Sequence, residues 1–405
     1  MNRLSSTLLA LISSTSMLFG CGAAGGSSDN QGTFEPETKS GQGGSGGSHA
    51  GNATGGAAGK GGTTSNPGTG GSSGHGDTGG SSGHADTGGS GGAPACTRPS
   101  PDAPINQTAP EGTKAPDPPA YSGGQLPQPV FAPGGHNKVV SGGLSREFIV
   151  VAPELSKLCP GEQIPVVFYW HALGEDPDSF ASNPAIQQLV DAYHLALVIP
   201  VSAGATVYGF DTKWPFDITQ SPGRMAQEFA FFDDMYASVV GWLPVNRFSI
   251  GSAGVSAGGL FNGQLQQARS EYLSVSFVVA GGTGGVIRPW SGSSRKTPSL
   301  VAWGGPSDVL SQGGFTLDFN QASLNLETGL ANDGHFLVEC IHDCGHQAPD
   351  VPPSTYLLMY RFLIDHPLWL GAGQSPYTGS SLPAEYPLWC GAGKGSAQNV
   401  NVGCN

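Results

Sequence analysis

Gly254-Val255-Ser256-Ala257-Gly258-Gly259 sets one serine among small residues in the pattern G-x-S-x-G. That pattern suits a chain that turns sharply from strand into helix and leaves the serine hydroxyl at the apex. Glycine on either side removes the Cβ atoms that would collide in so tight a turn. Amides at the helix start are then free to meet negative charge developing on a bound group. The chemistry this predicts is acyl transfer to the Ser256 oxygen. A bare match means little in a chain with 65 glycines, so the neighbours decide. Arg247-Phe248-Ser249-Ile250-Gly251 reads as a strand and residues 261–270 as a helix, which is the context the motif needs.

A serine hydroxyl is a poor nucleophile without a base beside it. Where such an elbow carries a triad, an acid and then a histidine follow along the chain. His335, His342, His346 and His366 lie downstream. His346 is the choice, in the loop Cys344-Gly345-His346-Gln347-Ala348-Pro349 before a last helix. His342 is its rival, His335 opens a strand, and His366 sits at helix termination. The acid is placed at Asp308, just beyond the strand Ser299-Leu300-Val301-Ala302-Trp303. Groups at the C-terminal ends of strands in open α/β sheets collect around the active site. Asp318 and Asp333 fall in helical or turn-like surroundings. Two amides must bind the oxyanion: that of Ala257, and that of Ala172 or Leu173 in the loop after Trp170. His171 is expected to brace this loop and, with Trp214 and Trp303, to be a candidate for the substrate pocket.

These residues need a scaffold. Glu147-Phe148-Ile149-Val150-Val151 and Ile164-Pro165-Val166-Val167-Phe168-Tyr169-Trp170 read as strands. So do Leu195 to Pro200, Ser274 to Ala280 and Ser299 to Trp303. Helical spacing marks residues 185–194, 228–240, 261–270 and 353–364. Strands alternating with helices predict an α/β fold, a mostly parallel central sheet with helices on both faces. The expected catalytic domain is 136–370, followed by an extension, 371–405, stapled by disulfide. Within it Pro367-Leu368-Trp369-Leu370-Gly371-Ala372-Gly373 nearly recurs as Pro387-Leu388-Trp389-Cys390-Gly391-Ala392-Gly393.

Residues 136–390 resemble the secreted esterases that include polyhydroxybutyrate depolymerases and feruloyl or acetylxylan esterases. The resemblance rests on a strand ending in His171, the elbow Gly254 to Gly259, the turn ending in Asp308 and the late Gly345-His346 loop. It implies an α/β-hydrolase fold and cleavage of carboxylic esters through an acyl-enzyme on Ser256. Two positions depart from the pattern. Ala172 stands where the family has glycine, and Gly304 where it has histidine.

The rest of the chain speaks to location. Residues 1–20 read as a lipoprotein signal peptide, and Leu18-Phe19-Gly20-Cys21 resembles a lipobox. Cys21 would be lipidated, anchoring an outer-membrane or cell-surface lipoprotein; simple secretion is the alternative. Residues 21–95 are a Gly/Ser-rich tether whose nonapeptides lack the apolar residue a calcium-binding β-roll needs. Residues 96–135 are a Pro-rich irregular linker. Six further cysteines, Cys96, Cys159, Cys340, Cys344, Cys390 and Cys404, suggest disulfides in an exported chain. The pairing read from sequence is Cys340 with Cys344, Cys390 with Cys404 and Cys96 with Cys159. Cys340-Ile341-His342-Asp343-Cys344-Gly345-His346 also has the crowding of a zinc set, although paired cysteines favour a disulfide and no metal. No cofactor is expected. A net charge of −13 argues against nucleic acid as a partner. The expected partners are an ester substrate, polymeric in some members of the family, and the membrane. A peptidase or amidase on the same fold is the alternative enzyme, and a non-catalytic lipoprotein binding glycan or polyester the alternative class.

Overall fold

The computed structural model describes residues 109–405, apart from 208, 313–314, 350–353, 378–381, 399–401 and 405. Cys21, Cys96, the signal peptide and the tether lie outside the described residues. Strands β1 (His136–Ser141) and β2 (Leu144–Val151) form a hairpin turning at Gly142 and Gly143. Then follow β3 (Ile164–Trp170), α1 (Pro177–Ala181), α2 (Pro184–Tyr193) and β4 (Ala196–Pro200). A small hairpin, β5 (Thr206–Val207) and β6 (Phe210–Asp211), precedes α3 (Pro222–Trp242). Next come β7 (Val245–Val255), α4 (Ala257–Arg269), β8 (Val275–Val279) and β9 (Ser299–Trp303). A second hairpin, β10 (Val309–Gln312) and β11 (Phe315–Asp318), leads into α5 (Phe319–Asn332). The chain ends with β12 (Leu337–Ile341), α6 (Ser354–Asp365) and β13 (Cys390–Ala392).

The main sheet has nine strands in the order β1-β2-β4-β3-β7-β8-β9-β12-β13. Its centre, from β4 to β12, is parallel, and antiparallel strands close both edges. Both faces are covered, which is why β3 and β4 read as apolar runs and why β8 is apolar except for the buried Ser276. On one face Phe180, Ile186, Val190 and Phe362 of α1, α2 and α6 meet Tyr169, Val255 and Phe277. On the other, Phe231, Phe232 and Met235 of α3 and Phe261 of α4 meet Phe168, Trp170 and Val198. This is an α/β-hydrolase fold, with the elbow at its centre. Among the described residues no helix is long and apolar enough to cross a membrane.

Several expectations are sharpened. Helix α3 starts six residues before the apolar stripe, because Ser221 caps it and Pro222 fits its first turn. Glu228, fully buried in that helix, is matched by Arg146 at 2.9 Å and Arg224 at 2.6 Å. The Pro-rich segment is irregular over 109–135, yet it is tied down along α3 and β1. Asp234 accepts the Ser122 N–H at 2.6 Å, Trp242 Nε1 donates to Pro127 O at 3.0 Å, and Val140 N–H donates to Tyr121 Oη at 3.0 Å. The C-terminal extension is more than a staple, since β13 adds an edge strand to the sheet.

The disulfide pairing read from sequence is corrected. Cys340 bonds to Cys390, and Cys344 to Cys404. Cys340 lies in β12 directly opposite Cys390 in β13, so the strand register sets that pair. Cys344 is beyond the strand end and meets the chain terminus, where Pro349 bridges to Cys404. Partners 50 and 60 residues away therefore win over the local ones. Cys159 is also disulfide-bonded, and Cys96, the partner expected for it, lies outside the described residues. Asp343 clusters with Cys344 and Cys404, but both sulfurs are already committed to their disulfide.

Candidate active site

The elbow is built by backbone sterics. Strand β7 runs to Val255, Ser256 takes φ 53° and ψ −118°, and α4 begins at Ala257. A non-glycine residue at positive φ is strained, and such strain persists only where its surroundings over-determine it. The surroundings here are close. A Cβ on Gly254 would lie 2.3 Å from Gly258 O, and one on Gly258 would lie 1.9 Å from Trp170 O and 2.8 Å from His171 O. The glycines of the motif thus let α4 start against both its own strand and the loop after β3. Ser256 N–H donates to Val279 O at 2.9 Å, tying the elbow to β8 as well.

The structure brings Ser256, His346 and Asp308 into one hydrogen-bonded line. Ser256 Oγ is 3.0 Å from His346 Nε2, and His346 Nδ1 is 2.6 Å from Asp308 Oδ1. An ionised carboxylate only accepts, so the proton on His346 sits at Nδ1 and leaves Nε2 to accept from the Ser256 hydroxyl. Asp308 is fully buried, and its Oδ2 accepts the Gly304 N–H at 2.9 Å. Gly304, where histidine is expected by family pattern, is required by its neighbour: a Cβ there would lie 1.8 Å from Gly345 O. Ser256 is 3% exposed and the His346 side chain 8%, so the line is nearly dry. Phe319, the first residue of α5, covers the His346 ring at 4.1 Å between centroids with 21° between planes. Sequence reasoning missed Phe319. Asp318 capping a helix three residues before Gln321 was the available signal.

The rival histidines are engaged elsewhere. His342 Nδ1 accepts the Cys344 N–H at 3.3 Å, and burial pushes its pKa down. His335 Nδ1 meets Thr297 O at 2.8 Å and His366 Nδ1 meets Phe362 O at 2.8 Å, each a helix or strand terminus brace. Asp333 pairs with Lys296 at 2.5 Å, and Asp318 caps α5.

The pocket candidates are corrected by burial. Trp303 is 1% exposed and packs with Leu326 and Leu330 of α5, its Nε1 donating to Asn320 Oδ1. Trp214 is fully buried, edge-on to Trp170 at 5.1 Å, and donates from Nε1 to His171 O at 2.8 Å. His171 is 2% exposed, with its Nδ1 at 2.9 Å from Ala172 O, and burial lowers its pKa toward the neutral ring. Trp303, on a strand, packs under α5, while Trp214 and His171, both in loops, pack on each other at 4.9 Å between centroids and hold the loop after β3. An apolar cavity of about 90 Å³ lies under α6, walled by Val167, Tyr169, Phe277 and Leu363 rather than by Ser256 or His346.

No family model matches the chain, and no curated protein matches its sequence. Solved structures do match. Native pOPH aligns at 16% identity over 64% of this chain and 94% of that one, with a TM-score of 0.52. Native sOPH aligns at 19% identity over 72% of this chain and 99% of that one, with a TM-score of 0.52. A ferulic acid esterase aligns at 15% identity over 56% of this chain and 95% of that one, with a TM-score of 0.42. At these identities the first two carry the fold alone, and the third adds nothing to it.

Proposed function

We propose that the protein is a serine-type hydrolase of carboxylic esters, with Ser256 as nucleophile, His346 as general base and acid, and Asp308 as the group that orients the imidazole. The observation that carries this reading is the line from Ser256 Oγ through His346 to Asp308, at 3.0 and 2.6 Å. His346 Nε2 takes the hydroxyl proton as Oγ attacks the substrate carbonyl. The carbonyl oxygen becomes an oxyanion, met by the Ala257 amide at the start of α4 and by an amide of the loop after β3. His346 returns its proton to the departing alcohol, and the acyl group stays on Ser256. Water then gives up a proton to His346 and attacks the acyl carbon; the acid leaves and Oγ regains its proton. Asp308 stabilises the imidazolium that forms in each half.

Ester rather than amide substrates are inferred from the resemblance of the elbow, the Asp308 turn and the His346 loop to the secreted esterases, and no further domain among the described residues presents a peptide. In the resembling enzymes the acid side is an acetyl, a feruloyl or a polyester unit, and a lipid on Cys21 would hold the enzyme at the outer membrane or cell surface. The test is turnover of p-nitrophenyl acetate and butyrate by wild-type protein and Ser256→Ala. The expected loss is about 10⁴-fold or more in kcat. Equal rates in the two proteins would end the proposal.

A further inference from the structure

The loop after β3 holds an acidic side chain that the Ser256–His346–Asp308 line does not use. Glu175 folds back on its own loop. Its Oε2 accepts the Ala172 N–H at 3.1 Å and the Tyr169 hydroxyl at 2.9 Å. Its own N–H donates to Ala172 O at 3.3 Å. Tyr169 is in turn stacked on Phe180 of α1, 4.3 Å between centroids and 8° between planes. Ala172 is therefore engaged at both ends: its N–H by Glu175, its carbonyl by Glu175 N–H and His171 Nδ1. Leu173 N–H has no acceptor among the described residues. The same loop lies against the start of α4, where a Cβ on Gly258 would lie 1.9 Å from Trp170 O and 2.8 Å from His171 O.

We propose that Glu175 is a positioning residue of the oxyanion hole, tying the Ala172 amide back into the loop so that Leu173 N–H is the second donor beside Ala257. The inference rests on the reading of Ser256 as nucleophile. An amide bonded to a carboxylate cannot also serve a developing oxyanion at full strength, because one N–H offers one proton. Charged acceptors hold backbone N–H groups about twice as strongly as neutral ones, which fixes the loop before substrate arrives. A hole fixed in advance has no reorganisation to complete in the transition state. Burial raises the Glu175 pKa, while the Tyr169 and Ala172 donors oppose that rise and favour the carboxylate.

The test compares Glu175→Ala, Glu175→Gln and Tyr169→Phe in the full chain, on p-nitrophenyl butyrate, with melting midpoints measured alongside. Binding of a trifluoromethyl ketone, which forms a tetrahedral oxyanion on a serine, is the second readout. Glu175→Ala should lower kcat about tenfold with KM within about twofold, and weaken the ketone by the same factor, since a misaligned donor acts only on the transition state. Glu175→Gln keeps an oxygen to accept from Ala172 and should restore kcat to within about threefold of wild type. Tyr169→Phe, which leaves Glu175 in place, should fall between the two and keeps the question open to measurement if Glu175→Ala does not fold. Wild-type kcat and ketone affinity in Glu175→Ala, or equal losses in the alanine and glutamine variants, would overturn the inference while Ser256-dependent turnover stands. Turnover that survives Ser256→Ala would instead remove the functional reading, and this inference with it.

Discussion

Ser256 and His346 meet across 3.0 Å, yet the two are held by different means. The elbow is a local structure. Six consecutive residues, three of them glycines with no room for a Cβ, force the hydroxyl to the apex between β7 and α4. The His346 loop has no such internal logic. It is held from outside: by Asp308 from the end of β9, by Phe319 from α5, and by the Cys344–Cys404 disulfide from the chain terminus. One partner of the pair is thus set by backbone sterics and the other by contacts and a covalent link from distant parts of the chain. The difference teaches that the nucleophile should tolerate no change within its motif, whereas the base should yield by degrees as its supports are removed.

Gly258→Ala is the most severe way to sharpen that contrast. Its Cβ would sit 1.9 Å from Trp170 O, a backbone atom that cannot rotate away. A loss of about 100-fold in kcat is expected, because an ångström-scale displacement of a reacting group costs that much. The melting midpoint should fall by about 3–10 °C, read by calorimetry. Near-normal activity in Gly258→Ala would break the claim that sterics hold the elbow.

Removing the Cys344–Cys404 link with the pair Cys344→Ser and Cys404→Ser should act more mildly. Asp308 and Phe319 remain, so kcat should fall about tenfold or less, with a stability loss of about 2–4 kcal/mol. The pair Cys340→Ser and Cys390→Ser, which joins β12 to β13 away from His346, should cost similar stability with kcat nearly unchanged. If both pairs lower kcat equally, the terminus does not support the base in particular.

The smallest expected effect concerns the C-terminal edge that carries these supports. Glu327 of α5 is fully buried beside Glu339 of β12, and burial with that neighbouring carboxylate pushes its pKa up to about 9. Glu339 accepts the Gly395 and Ala397 N–H groups, while Lys394 is the opposing charge near Glu327. An acid raised from its ordinary 4.5 binds its proton more tightly folded than unfolded. Its stabilising contribution is complete below about pH 4.5 and is lost as pH rises toward about 9. Wild-type melting midpoints should therefore decline across that window, and Glu327→Gln should flatten the decline without changing kcat by more than about twofold. An unchanged slope in Glu327→Gln would show that the pair does not hold the edge.

The same contrast explains how much could be read from sequence. Ser256 is legible because its motif, its strand and its helix are contiguous, and β3 and β4 are legible because burial on both faces leaves apolar runs. Asp308 and His346 are legible by chain order and loop position. What holds them is not. The partners of Cys340 and Cys344 depend on the register of β13, a three-residue strand with no periodicity of its own. Trp214 and Trp303 are aromatic like pocket residues, but only tertiary packing shows that they are buried in the core. Glu175 is a loop carboxylate like any other until the Ala172 amide is seen on it.

The central claim is that Ser256 is activated by His346, and covalent labelling tests it most directly. Folded wild-type protein and His346→Ala are treated with a fluorophosphonate, which phosphonylates an activated serine oxygen, and the label is located by peptide mass spectrometry. A single modified residue, Ser256, is expected in the wild type, with labelling slowed by about 10³-fold or more in His346→Ala. No label on Ser256, or equal rates in the two proteins, would contradict it.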